Sequence, residues 1–262
     1  MKFFVCCKQV PDVAMAFQIK DGELQKDDLN YVLNAYDASA IEESLVIQSN
    51  VSELDLSLVL IGAEKGKEAL RKGLAMGAKE AFHIEGDAFE GSDSHSAANV
   101  LEAFFKDKDY DAILCGKQSQ DMDMGLTSGL LAQKLSIPYV TNAVALKVNE
   151  EAKTITVTRQ GDEGQEMIEL PFPCIVSCSN DMNEPRIPSL RGIMQSKKKP
   201  MNKIGVADLG LSEDQVGKSG SKSTLLSMDF PKARKAGEKF QGDADELVST
   251  LIDKLTNEAK VL

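Results

Sequence analysis

Short apolar runs alternate with helical stripes along the first half of the chain, and this alternation strongly constrains the fold. The apolar runs predict strands at Phe3–Cys7, Leu56–Ile61, Ala81–Ile84 and Asp111–Cys115. Apolar residues at helical spacing predict helices at Asp37–Ser49, Ala69–Leu74, Ala97–Phe105 and Gly125–Leu135. Strands that are apolar throughout and alternate with helices are typical of a parallel sheet covered on both faces. We therefore expect an α/β fold with a mostly parallel sheet flanked by helices.

The second half of the chain has a different pattern. Apolar runs separated by polar turns predict an antiparallel addition to the sheet at Tyr139–Val148, Thr154–Arg159, Glu166–Leu170 and Cys174–Ser179. Residues 180–203 contain three prolines and little periodicity, which predicts an extended, exposed loop. Lys218–Lys222 has the composition of a linker, and Asp243–Leu262 has the pattern of an amphipathic helix. We expect an α/β domain over residues 1–217, and a linker with a C-terminal helical arm over residues 218–262.

Charge and composition argue against several functional classes. The formal net charge is −11, which would repel a nucleic acid backbone, so we expect no nucleic acid partner. Five cysteines without framework spacing and two distant histidines, His83 and His95, predict reduced thiols and no metal site. The apolar runs are too short to span a bilayer, and the N-terminal run ends at Lys8 without a cleavage motif. We therefore expect a cytoplasmic protein of bacterial type that is not embedded in a membrane.

The segment Cys115–Gly129 is the most informative for chemistry because it follows a strand and opens a helix. The first N–H groups of a helix are free to bind an anion, and Thr127 and Ser128 would add hydroxyl donors. Asp121 and Asp123 suit ribose hydroxyls or the loop itself better than a phosphate. From the residues alone, a polar turn followed by a helix cap is an equally good interpretation.

Other nucleotide and hydrolase motifs are missing from the sequence. Gly116-Lys117 lacks the upstream glycine of a Walker loop, and Gln118 stands where that loop has Ser or Thr. No G-x-G-x-x-G follows a predicted strand, and there is no G-x-S-x-G. We therefore expect no catalytic residues in this chain, which would not be an enzyme by itself.

Several segments resemble the beta (small) subunit of electron-transfer flavoproteins, and they occur in the order found in that family. They are Val5–Asp12, Asn34–Glu43, Ala69–Ala78, Gly116–Asp123, and Asn183–Met194 with Lys197–Lys199. The Asn-Glu-Pro-Arg block at 183–186 is the most specific of them. Together they span the chain from Val5 to about Lys203, so the resemblance covers most of the predicted α/β domain.

This resemblance implies a heterodimer with a larger alpha subunit. One FAD, held mainly by alpha, would carry electrons from acyl-CoA dehydrogenases or related flavin dehydrogenases, as in fatty acid oxidation, to a membrane quinone reductase. The beta subunit would bind a structural AMP. The implied AMP-binding residues are Cys6, Asn34, Ala35, Tyr36, Asp37, Ile61, Gly116, Lys117, Gln118, Ser119, Gln120, Asp121, Met122, Asp123, Met124, Gly125, Leu126 and Thr127.

The resemblance further implies a loop that docks on the dehydrogenase, over residues 183–199, with Leu190 as its apolar anchor. The implied docking residues are Arg186, Ile187, Pro188, Ser189, Leu190, Arg191, Gly192, Ile193, Met194 and Gln195. The C-terminal helix would be an arm that grips alpha. Without the resemblance, the basic residues of this region would more often be a solvated surface, and packing of Leu190 on the chain's own core would be an equally good interpretation.

Two departures from the family pattern and two alternatives accompany this interpretation. Ser119-Gln120 stands where the family often has Ala-Ile, and Gln160 stands where Glu often follows the arginine at 159, with Glu163 near in sequence. One alternative is a bifurcating relative, in which beta holds a second FAD and the complex oxidises NADH. The other is a stand-alone ATP-binding stress-type protein of the same superfold.

Overall fold

A computed structural model of the chain describes residues 1–25, 29–234 and 236–262. Its strands are β1 (Lys2–Cys7), β2 (Gln9–Pro11), β3 (Ile19–Lys20), β4 (Glu23–Leu24), β5 (Tyr31–Leu33), β6 (Asp55–Gly62), β7 (Glu80–Glu85), β8 (Ala112–Gly116), β9 (Tyr139–Asn149), β10 (Thr154–Gln160), β11 (Gln165–Pro171), β12 (Cys174–Cys178) and β13 (Met201–Ile204). Its helices are α1 (Ala35–Gln48), α2 (Lys67–Met76), α3 (Ser94–Phe105), α4 (Thr127–Leu135), α5 (Leu190–Ser196), α6 (Gly217–Gly220) and α7 (Ala244–Asp253).

Within the described residues, nine strands form the main sheet in the order β11-β10-β9-β12-β8-β1-β6-β7-β13. The strands from β12 to β13 are all parallel to their neighbours. This confirms the predicted parallel sheet, and it agrees with the apolar character of β1, β6 and β8, whose residues are mostly buried. Such strands need cover on both faces of the sheet.

Each face of the sheet has its own hydrophobic core. On one face, Phe3 and Val5 of β1 lie in a cluster with apolar residues of α1 and α2. On the other face, Phe4 lies in a cluster with apolar residues of α3 and α4. Successive residues of β1 therefore point to opposite helical layers, as the period of a strand requires.

The antiparallel addition is smaller than the sequence predicted. β9, β10 and β11 are antiparallel to one another, as expected. The prediction for Cys174–Ser179 is wrong, because β12 lies between β8 and β9 and is parallel to both. All five residues of β12 are buried, so its continuous apolar run fits an interior parallel strand.

Residues 180–203 are not wholly an extended loop, which corrects a second expectation. Ser189 caps the start of α5 by accepting a hydrogen bond from the backbone N–H of Gly192 at 3.1 Å. Farther along, β13 adds a parallel edge strand to the sheet by pairing Met201 with Ala81. The remaining stretch, through Pro185 and Pro188, has no regular structure.

The described residues form two compact units, Met1–Ser227 and Met228–Leu262. At the end of the first unit, Lys222 and Ser223 donate backbone hydrogen bonds to Asp93 at 2.7 and 2.9 Å, so the segment predicted as a linker is held on α3. In the second unit, Asp243 caps α7, and Val248, Leu251 and Ile252 of that helix are exposed. None of the helices that the structure describes is long and apolar enough to cross a membrane.

Candidate functional site

The candidate site lies at the carboxyl ends of β1 and β8. These two strands are neighbours near the centre of the sheet, with β6 and β7 beyond β1 on one side and the later strands β12, β9, β10 and β11 beyond β8 on the other. A parallel sheet has a crevice at such a reversal of strand order, and ligands commonly bind there. The segments that leave β1 and β8 at this edge are Lys8–Pro11 and Gly116–Leu126, and the second is called the cradle loop below.

Asp37, in the first turn of α1, joins these two segments. Its carboxylate accepts hydrogen bonds from the backbone N–H of Lys8 at 2.7 Å and of Gly116 at 3.0 Å. A Cβ atom at position 116 would overlap this carboxylate and the side chain of Tyr36, so the close approach requires glycine. Asp37 is only 5% exposed, and burial raises the pKa of its carboxyl to about 7, even though the hydrogen bonds from Lys8 and Gly116 oppose that shift.

Asn34, which precedes α1, holds the next part of the cradle loop. Its Nδ2 donates to the carbonyl of Gln118 at 2.9 Å, and its Oδ1 accepts from the backbone N–H of Gln120 at 3.2 Å. The Gln120 side chain in turn accepts from the backbone N–H of Ala35 at 3.2 Å. The amide of Gln118 reaches the hydroxyl of Tyr36 at 3.3 Å. The sequence Asn34–Asp37 therefore acts as a bracket for the loop.

Lys8 crosses the crevice from the β1 side. Its ammonium group lies 2.8 Å from the carboxylate of Asp121 and 3.3 Å from the hydroxyl of Ser119. The polar pair Ser119-Gln120, which departs from the family pattern, thus makes hydrogen bonds that hold the cradle loop in place. The sequence indicated no role for Lys8, for which the only signal was its position directly after the strand.

The end of the cradle loop turns sharply into α4. Asp123 and Gly125 have left-handed backbone conformations, with φ of 50° and 61°. α4 then begins at Thr127, two residues later than predicted, and Leu126 at its N-cap offers no side-chain hydrogen bond. The first backbone N–H groups of α4 thus donate no hydrogen bond to a capping side chain, and they lie beside an exposed loop, which is an arrangement suited to an anionic ligand.

Cys6 and Ile61 lie at the same edge of the sheet, near the ends of β1 and β6. Cys6 pairs in register with Cys115 of β8, and a hydrogen bond with the Cys115 thiol together with burial raises the pKa of Cys6 well above its ordinary value. The Cys6 thiol is thus expected to be protonated and unreactive. In the part of the chain that the structure describes, no group of His, Cys, Asp or Glu residues is arranged to hold a metal ion.

The implied docking residues lie elsewhere, against α1 and α2 rather than in the crevice. Ile187 and Leu190 are 93% and 77% exposed, and Met194 is also exposed. Arg186 is bound to Glu42 of α1, and a Cβ at Gly192 would come within 2.5 Å of the carbonyl of Ala75 at the end of α2. Sequence reasoning assigned no role to Glu42, which lies far from Arg186 along the chain.

The second departure from the family pattern has a structural answer. Arg159 pairs with Glu166 of β11 at 3.4 Å, across the two strands, rather than with Glu163. Gln160 does not supply a carboxylate at all, and its backbone carbonyl accepts a hydrogen bond from Asn142 at 2.6 Å.

Comparison with known proteins agrees with this geometry. The family model for the electron transfer flavoprotein domain matches residues 22–209. The beta subunit of the electron transfer flavoprotein of Bacillus subtilis is 33% identical over 264 residues, covering 100% of both chains. Subunit CarD of the caffeyl-CoA reductase-Etf complex of Acetobacterium woodii is 33% identical over 258 residues, covering 97% of this chain and 98% of CarD. The beta subunit from Megasphaera elsdenii is 30% identical, covering 97% of this chain and 98% of that subunit.

Proposed function

The chain belongs to the electron transfer flavoprotein family, and on that premise we propose that it is the beta subunit of a heterodimer in which it binds a structural AMP. FAD, held mainly by the alpha subunit, carries the electrons. The donors are acyl-CoA dehydrogenases or related flavin dehydrogenases, and the acceptor is a membrane quinone reductase. The match over the whole length to named beta subunits favours this role over that of a stand-alone ATP-binding protein.

The observation that carries the AMP assignment is the bracket around the cradle loop. Asn34 and Asp37 hold the loop against β1, and the start of α4 lacks a side-chain cap. In this proposal the phosphate of AMP accepts hydrogen bonds from backbone N–H groups at 125–127, and its adenosine lies against the cradle loop, which residues 34–37 hold in place. AMP would stabilise the folded subunit because it binds only the assembled loop.

The first test is the nucleotide content of the purified heterodimer. After denaturation, chromatography of the released cofactors should give one FAD and one AMP per heterodimer. A preparation that refolds with full flavin content in the absence of AMP, and does not take AMP up, would contradict the assignment.

A pair of glycine variants tests the site. Gly125 and Gly210 have nearly equal φ values, 61° and 66°. A Cβ atom added at Gly210 would have no other atom within 4 Å. Alanine at either position carries a similar backbone cost, about 1 kcal/mol. We expect Gly125→Ala to lose AMP and Gly210→Ala to keep it. Equal AMP content in the two variants would place the phosphate elsewhere.

A second candidate function is a bifurcating complex, in which beta holds a second FAD instead of AMP and the complex oxidises NADH. The observation in its favour is the similarity to CarD, which belongs to a complex with caffeyl-CoA reductase. The same cofactor analysis separates the two candidates, because this one requires two FAD and no AMP per heterodimer. Flavin reduction by NADH in the purified complex would be the accompanying kinetic evidence.

A further inference from the structure

The docking segment, Arg186–Gln195, is tied to helix α1 by a single buried carboxylate. Glu42 accepts hydrogen bonds from Nε of Arg186 at 2.7 Å and from Nη2 at 2.8 Å, which is a bidentate ion pair. It also accepts from the backbone N–H of Arg186 at 3.0 Å. The carboxylate therefore fixes both the side chain and the main chain of the first residue of the segment.

Glu42 is well placed to hold this position. Glu42 is 8% exposed, whereas the side chain of Arg186 is 43% exposed. The hydrogen bonds from Arg186 lower the pKa of the Glu42 carboxyl, which therefore stays ionised at neutral pH. A buried, ionised carboxylate with three donors on one residue leaves that residue few alternative positions.

The other contacts of the segment agree with this attachment. Just before it, Asn183 donates to the carbonyl of Ser39 on α1 at 3.1 Å. Just after it, the ammonium group of Lys199 donates to the carbonyls of Leu74 and Ala78, at the end of α2. Glu42 is the one member of this set that binds a docking residue directly through a charged pair.

The consequence is a segment held in shape while its apolar side chains face outward. Ile187 and Leu190 are largely exposed, although the chain is anchored on either side of them, by the backbone N–H of Arg186 and by the ammonium group of Lys199. A segment without the anchor would have to be ordered on binding, and that ordering lowers affinity. We propose that Glu42 is a positioning residue for docking: through Arg186 it holds the segment in the conformation that the dehydrogenase binds. This rests on the proposed function together with the docking role that the resemblance to the family implies for residues 183–199.

The test compares Glu42→Gln with Leu190→Ala in the purified heterodimer. Glutamine keeps the size of the side chain but replaces one acceptor oxygen with a donor and removes the charge. Glu102→Gln is the matched control, because Glu102 pairs with Lys134 at 3.1 Å between α3 and α4. The assay is reduction of the heterodimer by an acyl-CoA dehydrogenase supplied with butyryl-CoA, with the heterodimer as the varied substrate.

For Glu42→Gln we expect KM for the heterodimer to rise about tenfold with kcat unchanged, since ordering the segment would now oppose binding. Amide hydrogen exchange should become faster at residues 186–196 and nowhere else. Arg186→Lys, which keeps the charge but loses the fork, should give the same direction of change. The double variant Glu42→Gln/Arg186→Gln should be no worse than either single variant, because the pair acts as a unit.

The outcomes separate this inference from the proposed function. Normal KM in Leu190→Ala would show that the segment does not dock, and the proposed function would lose that part. If Leu190→Ala raises KM while Glu42→Gln matches Glu102→Gln in KM and in exchange, the positioning role is refuted. A Glu42→Gln variant whose melting temperature falls sharply, with faster exchange throughout α1, would also refute it, because Glu42 would then support the core instead.

Discussion

The titration of Asp37 gives the most quantitative prediction. Its carboxyl has a pKa of about 7 in the folded chain, against 3.8 as the ordinary value. The raised value means that the folded state holds a proton that the unfolded state releases between these two pH values. This contribution to stability is therefore fully present below pH 3.8 and is lost as the pH rises through 7.

The size of the effect follows from the two values. Between pH 5 and pH 8 the free energy of unfolding should fall by about 2.5 kcal/mol because of Asp37 alone. His83 acts in the opposite direction, since burial lowers the pKa of its imidazole and the neutral form is favoured in the folded chain. A variant that lacks only the Asp37 carboxyl separates the two effects, because the contribution of His83 cancels in the difference between the unfolding free energies of wild type and variant.

Asp37→Asn is the appropriate variant, measured by guanidinium unfolding of the heterodimer at fixed protein concentration. The difference in unfolding free energy between wild type and variant should change by about 2.5 kcal/mol from pH 5 to pH 8, with the wild type losing ground as the pH rises. In the infrared spectrum, the wild type should show a protonated carboxyl band that disappears near pH 7 and is missing in the variant. Parallel stability curves over this range would refute the raised pKa and the burial argument behind it.

Three further predictions concern other parts of the chain. Leu190→Ala should weaken dehydrogenase binding roughly thirtyfold, about 2 kcal/mol, since an exposed leucine would be buried on docking. The melting temperature and the AMP content should stay unchanged. A variant that melts at a much lower temperature but turns over normally would contradict this. Asp93→Ala should lower the free energy of unfolding by about 2 kcal/mol at pH 7. Burial alone would raise the pKa of the Asp93 carboxyl, but hydrogen bonds from Ser96, Lys222 and Ser223 hold it at about 2. The difference in unfolding free energy between wild type and Asp93→Ala should shrink as the pH falls from 4 towards 2. In the variant, amide exchange at Lys222 and Ser223 should become faster, and unchanged exchange there would count against this role of Asp93. Truncation after Gly242 should weaken the heterodimer and flavin retention, and unchanged co-purification with alpha would argue that the C-terminal helix is not a gripping arm.

The sequence predicted the elements whose pattern is local. β1, β6 and β8 are recognisable because the buried stretch of each strand is almost continuously apolar, as parallel strands covered on both faces require. Gly77 ends α2 with φ of 154°, a conformation that favours glycine. The orientation of β12 was not predictable in this way, because its apolar run is compatible with either direction and the choice depends on β8, its partner from a distant part of the chain.

Short elements and long-range pairs account for the rest. α5 has seven residues, too few to show a period, and its apolar side chains are mostly exposed, so no buried stripe marks it. β13 has four residues and depends on β7 for its hydrogen bonds. The pair of Glu42 with Arg186 joins positions 144 residues apart, and nothing in either local sequence indicates the other. The cradle loop was identified from its strand–loop–helix pattern, but the contact of Lys8 with Asp121 required the fold.

The cost of Asp37 can be understood from the two segments that it joins. Because an ionised carboxylate is unfavourable in this position, Asp37 makes the free energy of unfolding about 4 kcal/mol lower at neutral pH than at low pH. No neutral side chain of the same length has two acceptor oxygens for the N–H groups of Lys8 and Gly116, and leaving either donor buried without a partner would itself cost about 1–3 kcal/mol. The same helix carries Asn34 at its start and Glu42 in its second turn, so α1 sets the position of both the cradle loop and the docking segment. Asp37 thus lowers the stability of the chain while it keeps the segment after β1 and the cradle loop in fixed positions. This trade of stability for a preorganised site is expected where binding of a ligand, rather than packing of the core, determines which residue is present.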